Sequence, residues 1–270
     1  MIRGASTATL AAIAASCRIY PGTVMNTALA AASTPSSNGA PRPASPRLDL
    51  YTGIHKAMRS FMAETLVRLG RIDVADAADR DQALDQLEQL LGFCADHLRH
   101  ENTFVHTAIE ARHPAGSAKI AEEHAEHSES IAALREEATA LRSTPEHTAG
   151  ALALRLYRHL ALFVAENLQH MHIEETVHNA LLWQHYGDAE LAELHGRLMA
   201  SLAPADKERA ARWMLPASTP AERSAMIAGM KAELPPEALL GLMAMLRPHL
   251  DAPGWAKLAG AAGIGRAVGS

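Results

Sequence analysis

Two copies of one five-residue pattern combine a histidine with a glutamate four positions later. The first copy is His97-Leu98-Arg99-His100-Glu101 and the second is His170-Met171-His172-Ile173-Glu174. Both copies lie in strongly helical sequence, where residues four apart point to the same side of a helix. An imidazole and a carboxylate from each of two helices are typical ligands of a two-metal carboxylate site inside a helical bundle. The repeated pattern therefore predicts metal chemistry.

Four segments of the chain carry apolar residues at alternating spacings of three and four, which is typical of helices that pack into a bundle. They cover residues 48–69 and 80–111, a third segment around residues 120–141, and a fourth that ends near residue 186. In each segment, polar residues of ligand type replace apolar residues on the predicted inward stripe: His55, His97, Glu101, His124, His127, His170 and Glu174. We therefore expect the four helices to converge on one polar cluster.

A glutamate on such a stripe needs a stronger explanation than a histidine does. A single inward histidine, such as His55, is commonly a core residue whose ring is hydrogen bonded. A carboxylate in an apolar core is costly unless a cation or a strong donor lies nearby. Glu101 and Glu174 both need such a partner, and the predicted stripes contain neither arginine nor lysine. A cluster of metal ions would satisfy both carboxylates and the histidines together.

The types of these residues narrow the choice of metal. Imidazoles and carboxylates without thiolates suit a pair of iron ions, with manganese or zinc as alternatives. A structural zinc site is disfavoured because such sites usually have four ligands and often use cysteine. Carboxylates can bridge two ions, and an oxide, hydroxide or water would complete the ligand set. The ions would still have room for dioxygen, peroxide or nitric oxide.

The composition favours helices and excludes several other classes of protein. Of the 270 residues, 48% are hydrophobic but only 4% are aromatic, and alanine and leucine dominate. We therefore expect an all-α fold. The formal net charge of -5 and the mixed charges along the helices leave no basic stripe for nucleic acid. Only Cys17 and Cys94 occur, which fits a reducing compartment, so we expect a cytoplasmic protein.

The two ends of the chain differ from its helical centre. Residues 1–47 are rich in Ala, Ser, Thr, Pro and Gly, which predicts a disordered leader or linker. If residues 1–17 instead act as a secretory signal, the alternative location is the cell envelope. Prolines divide residues 203–270 into short helical pieces, which we expect to pack as an appendage or to form a homodimer contact. No sequence window is apolar enough to predict a membrane span.

The order of these motifs resembles the hemerythrin-like, or HHE cation-binding, domain: a lone histidine, HxxxE, a histidine and a second HxxxE on four successive helices. The similarity covers about residues 48–202, and the pair Glu174-Glu175 and the run Leu181-Leu182-Trp183 agree with it. The resemblance implies an antiparallel up-down four-helix bundle with two oxo- or hydroxo-bridged non-haem iron ions. The implied ligands are His55, His97, Glu101, His124, His170 and Glu174, of which the two glutamates bridge.

Two positions separate this chain from the oxygen-carrying hemerythrins. Those proteins have two third-helix histidines four residues apart, and an aspartate five residues after the fourth-helix histidine. Here Ser128 stands four residues after His124, and Glu175 stands five residues after His170. The fourth-helix HxxxE is similar instead to the bacterial branch that includes di-iron proteins for repair of iron centres and for response to nitric oxide.

The resemblance implies a di-iron protein that binds, senses or detoxifies dioxygen, peroxide or nitric oxide, or that handles iron. Reduction of peroxide or nitric oxide at the same centre, and a metal-free bundle that binds a partner, stay open as alternatives. The sequence also leaves open whether His127 is a fifth imidazole ligand or lies just outside the ligand shell. His106 and His178 lie nearer the edge of the inward stripe, where we expect them to shape access.

Overall fold

The computed structural model describes residues 47–264, so the predicted leader at residues 1–47 lies outside the described residues except for Arg47. The described residues form helices and no strand, and this confirms the all-α prediction. They divide into two compact units, one spanning Tyr51–His185 and the other built from residues 47–50 and 186–264. The predicted domain limits near residues 47 and 202 stay predictions.

The first unit is built from four long helices and two short ones. In chain order they are α1 (Thr52–Gly70), α2 (Ala77–His100), α3 (Thr107–Arg112), α4 (Ala118–Ser143), α5 (Glu146–Ile173) and α6 (Asn179–His185). A π-helical turn joins α2 to α3 at Glu101–His106, and a second joins α5 to α6 at Glu174–His178. α1 packs against α2 and α5, and α4 packs against the same two helices.

Polar side chains fix the turns between these helices. Asp76 caps α2 because its carboxylate accepts hydrogen bonds from two backbone N–H groups of the first turn. Arg68, near the end of α1, donates to both carboxylate oxygens of Asp79 at 3.2 and 2.7 Å. Before α4, the Glu110 carboxylate accepts from the backbone N–H and the hydroxyl of Ser117. These contacts stabilise the short turns that connect successive helices.

The inward faces of the four long helices form an apolar core. Its largest fully buried side chains include Phe61, Phe163, Met58, Met62, Leu84, Leu87, Leu90, Leu134 and Leu141. The predicted ligands lie near the first residues of α1 and α4 and near the last residues of α2 and α5. The polar cluster therefore lies toward one end of this apolar core.

The described residues of the second unit form five shorter α-helices. They are α7 (Asp188–Ser201), α8 (Pro204–Ala217), α9 (Pro220–Glu233), α10 (Pro236–Leu246) and α11 (Ala252–Ala262). Proline begins α8, α9 and α10, where its missing N–H removes no helical hydrogen bond. The α10 side chains Leu239, Leu242, Met243 and Leu246 are buried in an apolar core of this unit, whereas Leu240 is exposed.

Candidate metal centre

The structure brings all six predicted ligand residues together within the first unit. All six side chains are buried, and the exposed fraction of Glu174 is 0%. Their ligand atoms form two groups, in each of which the atoms lie within 4.8 Å of one another. The first group is His55, His97, Glu101 and Glu174, and the second is Glu101, His124, His170 and Glu174. Both glutamates belong to both groups.

The two oxygens of Glu101 face different histidines. Its Oε1 lies 3.1 Å from Nε2 of His97 and 3.8 Å from Nε2 of His55. Its Oε2 lies 3.6 Å from Nε2 of His124, which comes from α4. This is the arrangement of a carboxylate that could bridge two ions.

Glu174 also contacts both groups, and the imidazoles around it converge. Its Oε2 lies 3.4 Å from Nε2 of both His55 and His170, and its Oε1 lies 3.7 Å from Nε2 of His124. The Nε2 atoms of His124 and His170 lie 3.0 Å apart. Because a metal–nitrogen bond is about 2.1 Å long, two ligands at right angles on one ion lie roughly 3.0 Å apart. The spacing of these two nitrogens therefore fits a shared ion.

Six inward atoms of this cluster lack hydrogen-bond partners in the part of the chain that the structure describes. Among the described residues, neither carboxylate oxygen of Glu101 or Glu174 has one, and neither does Nε2 of His55 or His97. Buried polar atoms in native proteins are usually paired, and an unpaired carboxylate is especially costly. A cation bound between these atoms could satisfy them together.

Burial and the neighbouring charged groups set the charges of the two carboxylates. Burial and the neighbouring charge of Glu174 raise the pKa of Glu101 to about 8. Burial also acts to raise the pKa of Glu174, but contacts with the imidazoles of His124 and His170 outweigh it, so that pKa lies well below its usual range. Without a metal, one carboxyl group thus carries a proton at neutral pH and the other is ionised.

The outer nitrogens of three imidazoles are held by acceptors on the outside of the cluster. The Nδ1–O distances are 3.1 Å for His55 with Glu175, 2.7 Å for His124 with Asn102, and 2.8 Å for His170 with Glu123. An Nδ1–H that donates outward leaves the Nε2 lone pair directed into the cluster. Histidines that bind metal ions typically have this second hydrogen bond, which fixes the tautomer and orients the ring.

Glu175 is itself fixed by a charged neighbour. Both terminal nitrogens of Arg59 donate to its carboxylate, at 2.6 and 3.0 Å. Burial acts to raise the pKa of Glu175, but the contacts with His55 and Arg59 outweigh it and lower that pKa to about 2. Burial acts to lower the pKa of His55, but Glu101 and Glu175 together raise it to about 9.

The outer acceptors Asn102 and Glu123 were not found from the sequence. Each is directly adjacent to a predicted ligand, Asn102 to Glu101 and Glu123 to His124. Adjacent residues on a helix are separated by about 100° around its axis, so neither lies on the inward stripe. A search for polar residues next to each ligand would have found both.

His127 lies beside the cluster but belongs to neither group of ligand atoms. Its ring centroid is 4.9 Å from that of His170 and 5.8 Å from that of Phe163, both with edge-to-face geometry. The side chain is buried, and its Nδ1 has no hydrogen-bond partner among the described residues. Asn167, on the same stripe as His170, donates to the backbone carbonyl of Phe163 within its own helix.

No protein-family model, curated protein or solved structure matches this chain. The hemerythrin-like resemblance therefore stays a prediction. Buried histidine and glutamate groups of the first unit could hold a metal ion. In the part of the chain that the structure describes, no helix is both long and apolar enough to cross a membrane.

Proposed function

We propose that the chain is a hemerythrin-like di-iron protein in which α1, α2, α4 and α5 form an up-down four-helix bundle around the two ions. His55 and His97 would bind one ion, His124 and His170 would bind the other, and Glu101 and Glu174 would bridge them. The observation that carries the proposal is the pair of buried carboxylates, which lie between histidines of all four helices without a hydrogen-bond partner among the described residues.

The types of the candidate ligand residues favour iron over manganese or zinc. Imidazole and carboxylate ligands without thiolate suit iron, whereas zinc in structural sites commonly takes cysteine. Bound iron would supply one-electron chemistry and would bind dioxygen, peroxide or nitric oxide. The protein would orient the imidazoles through Glu175, Asn102 and Glu123, and the apolar core beneath the cluster would exclude water. We therefore propose that the protein binds, senses or detoxifies one of these small ligands, or handles iron.

Metal analysis tests the di-iron centre directly. After growth with iron and dialysis against a weak chelator, each chain should retain about two iron ions. The double variant His97→Ala, Glu101→Ala should retain none, because it removes a terminal ligand and a bridge. The matched control Glu166→Ala, His172→Ala removes an exposed glutamate and an exposed histidine of α5 and should retain both ions. A metal-free protein that keeps full thermal stability would contradict the proposal.

Optical spectra and turnover assays separate the candidate activities. The reduced iron protein should change its absorption spectrum when dioxygen, peroxide or nitric oxide is added, and the double variant should not. Consumption of peroxide or nitric oxide faster than an equal amount of free iron would indicate a redox enzyme. A spectral change without such turnover would indicate a binding or sensing protein. Manganese or zinc in the metal analysis would overturn the choice of iron.

A further inference from the structure

Two more histidines are buried beside the candidate centre, and both come from the π turns. His106 ends the first π turn, five residues after Glu101, and His178 ends the second, four residues after Glu174. Their exposed fractions are 5% and 1%. A π turn joins residues five apart by hydrogen bonds, so it brings His106 to the side of the helix that carries Glu101. The π turn at the end of each HxxxE motif thus contributes one additional inward imidazole.

These two imidazoles converge on Glu174. Ligand atoms of His106, His178 and Glu174 all lie within 4.8 Å of one another. The His106 ring stacks on that of His124 with centroids 4.7 Å apart, and it meets the ring of His178 edge-on at 5.3 Å. His106 and His178 therefore pack against each other beside Glu174.

The polar atoms of this group are incompletely satisfied. Nε2 of His106 is buried and has no hydrogen-bond partner among the described residues, and neither do the carboxylate oxygens of Glu174. The Tyr51 hydroxyl lies 3.2 Å from Nδ1 of His178. This contact holds the outer nitrogen of His178, in the way that Glu123 holds that of His170. An imidazole oriented by a second hydrogen bond is typical of metal-binding histidines.

We propose that His106, His178 and Glu174 form a third cation position beside the paired ions, with Tyr51 orienting His178. The proposal rests on the proposed function, because Glu174 is shared with the pair. Two imidazoles and one carboxylate suit a divalent first-row ion such as Fe²⁺, Co²⁺ or Zn²⁺. Each ion of the pair would have four protein ligands, whereas this position offers three. It should therefore fill last and release its ion first.

Titration of the metal-free full-length protein with Co²⁺ under anaerobic conditions tests this order. The probe is Co²⁺ alone, followed by equilibrium dialysis and by visible absorption of the bound ion. The wild-type chain should bind two equivalents tightly and a third at least tenfold more weakly. The double variant His106→Gln, His178→Gln should lose the third equivalent and keep the first two. The control His172→Gln, which changes an exposed histidine, should keep all three.

The possible outcomes distinguish the two proposals. A wild-type titration that stops at two equivalents would overturn the third position and leave the pair intact. Retention of the third equivalent by the double variant, or its loss from the His172→Gln control, would also overturn it. Loss of all three equivalents from a folded double variant would assign the two histidines to the pair. A wild-type chain that binds fewer than two equivalents would overturn the di-iron proposal itself.

A second variant keeps the test decisive if the double variant fails to fold. Tyr51→Phe keeps the buried ring and removes only the hydroxyl that contacts His178. The third equivalent should then bind about 10- to 100-fold more weakly, which is the usual effect of losing a contact to a metal-bound histidine. The first two equivalents should be unaffected. An unchanged affinity for the third equivalent would contradict the role given to Tyr51 and the third position with it.

Discussion

Three different acceptors hold the outer nitrogens of the candidate ligands, and their charges are unequal. Glu175 is neutralised by Arg59 at 2.6 Å, and Asn102 carries no charge. Glu123 has Lys119 as its basic neighbour at 3.6 Å, and Lys119 is largely exposed. Glu123 thus places the least compensated negative charge next to an imidazole. Burial acts to lower the pKa of His170, but the contacts with Glu174 and Glu123 outweigh it and raise that pKa.

Replacing Glu123 with alanine should weaken metal binding without unfolding the protein. Glu123→Ala removes the acceptor 2.8 Å from Nδ1 of His170, so the ring can rotate and change tautomer. We expect a loss of about 10- to 100-fold in affinity for the ion that His124 and His170 would bind. The neighbouring exposed residue supplies a control, Glu122→Ala, which should bind like the wild-type chain. Competition with a chelator of known affinity measures both, and equal affinities would contradict the role of Glu123.

Metal binding should weaken as the pH falls. The pKa of Glu101 is raised to about 8 and that of His55 to about 9, so both groups are protonated at neutral pH in the metal-free protein. A metal ion must displace these protons, and protons compete better at lower pH. The binding of the pair near pH 7 should therefore release protons from these groups. His97 adds none, because burial and the charge of His55 keep its pKa well below its usual range.

Calorimetry in two buffers of different ionisation enthalpy measures this proton release. The affinity should rise between pH 6.5 and pH 8.5, because deprotonation of Glu101 and His55 then costs less. A binding constant that is the same at both pH values, with no proton release, would contradict this account of the site. The double variant His97→Ala, Glu101→Ala provides the baseline for non-specific heat.

At the scale of helices, the sequence predicted which side chains face inward before each π turn, but it predicted this less well after the turn. The spacing of His97 and Glu101 is enough to place both on one side of α2. The second helix was predicted to run without a break over residues 80–111, whereas the structure changes to a π turn at Glu101. A π turn rotates every later residue relative to a regular α-helix. His106 therefore turns inward, although the sequence placed it at the edge of the stripe.

Contacts between distant helices were also beyond the reach of periodicity. Asn102 and His124 are 22 residues apart, and Glu123 and His170 are 47 residues apart. Periodicity predicts which side of a helix is buried, but the exact rotation of two helices decides which outward residues meet. The ligands on the inward stripe could be predicted because burying a carboxylate or an imidazole is costly, so such a residue on a buried stripe needs a partner. Exposed or partly buried positions carry no such constraint.

The apolar core beneath the cluster should determine stability separately from metal binding. Leu134 of α4 is fully buried, so Leu134→Ala should destabilise the metal-free protein by about 2–5 kcal/mol. Leu154 of α5 is 48% exposed, and Leu154→Ala should cost much less. Chemical denaturation measures both. Both variants should still bind two ions per chain when folded, and a Leu134→Ala protein as stable as Leu154→Ala would contradict the described core.

At the scale of the whole chain, the candidate chemistry is confined to one of two compact units. Within residues 47–264, which the structure describes, every group of buried histidine and glutamate side chains that could hold an ion lies within Tyr51–His185. The described residues of the other unit form a separate apolar core, which includes Leu215, Ile227, Leu242 and Leu258. Metal binding and the folding of the first unit should therefore be linked thermodynamically, because an ion that binds only the folded state stabilises that state.

Hydrogen exchange with and without metal should separate the two units. An ion present at 100 times its dissociation constant stabilises the folded state that binds it by about 2.7 kcal/mol. Amides of α1, α2, α4 and α5 should therefore exchange more slowly when metal is present, most of all those near His55, His97, His124 and His170. Amides of residues 204–262 should exchange at unchanged rates. The double variant His97→Ala, Glu101→Ala should show no response to metal in either unit, and equal protection of both units in the wild-type chain would contradict a centre confined to the first.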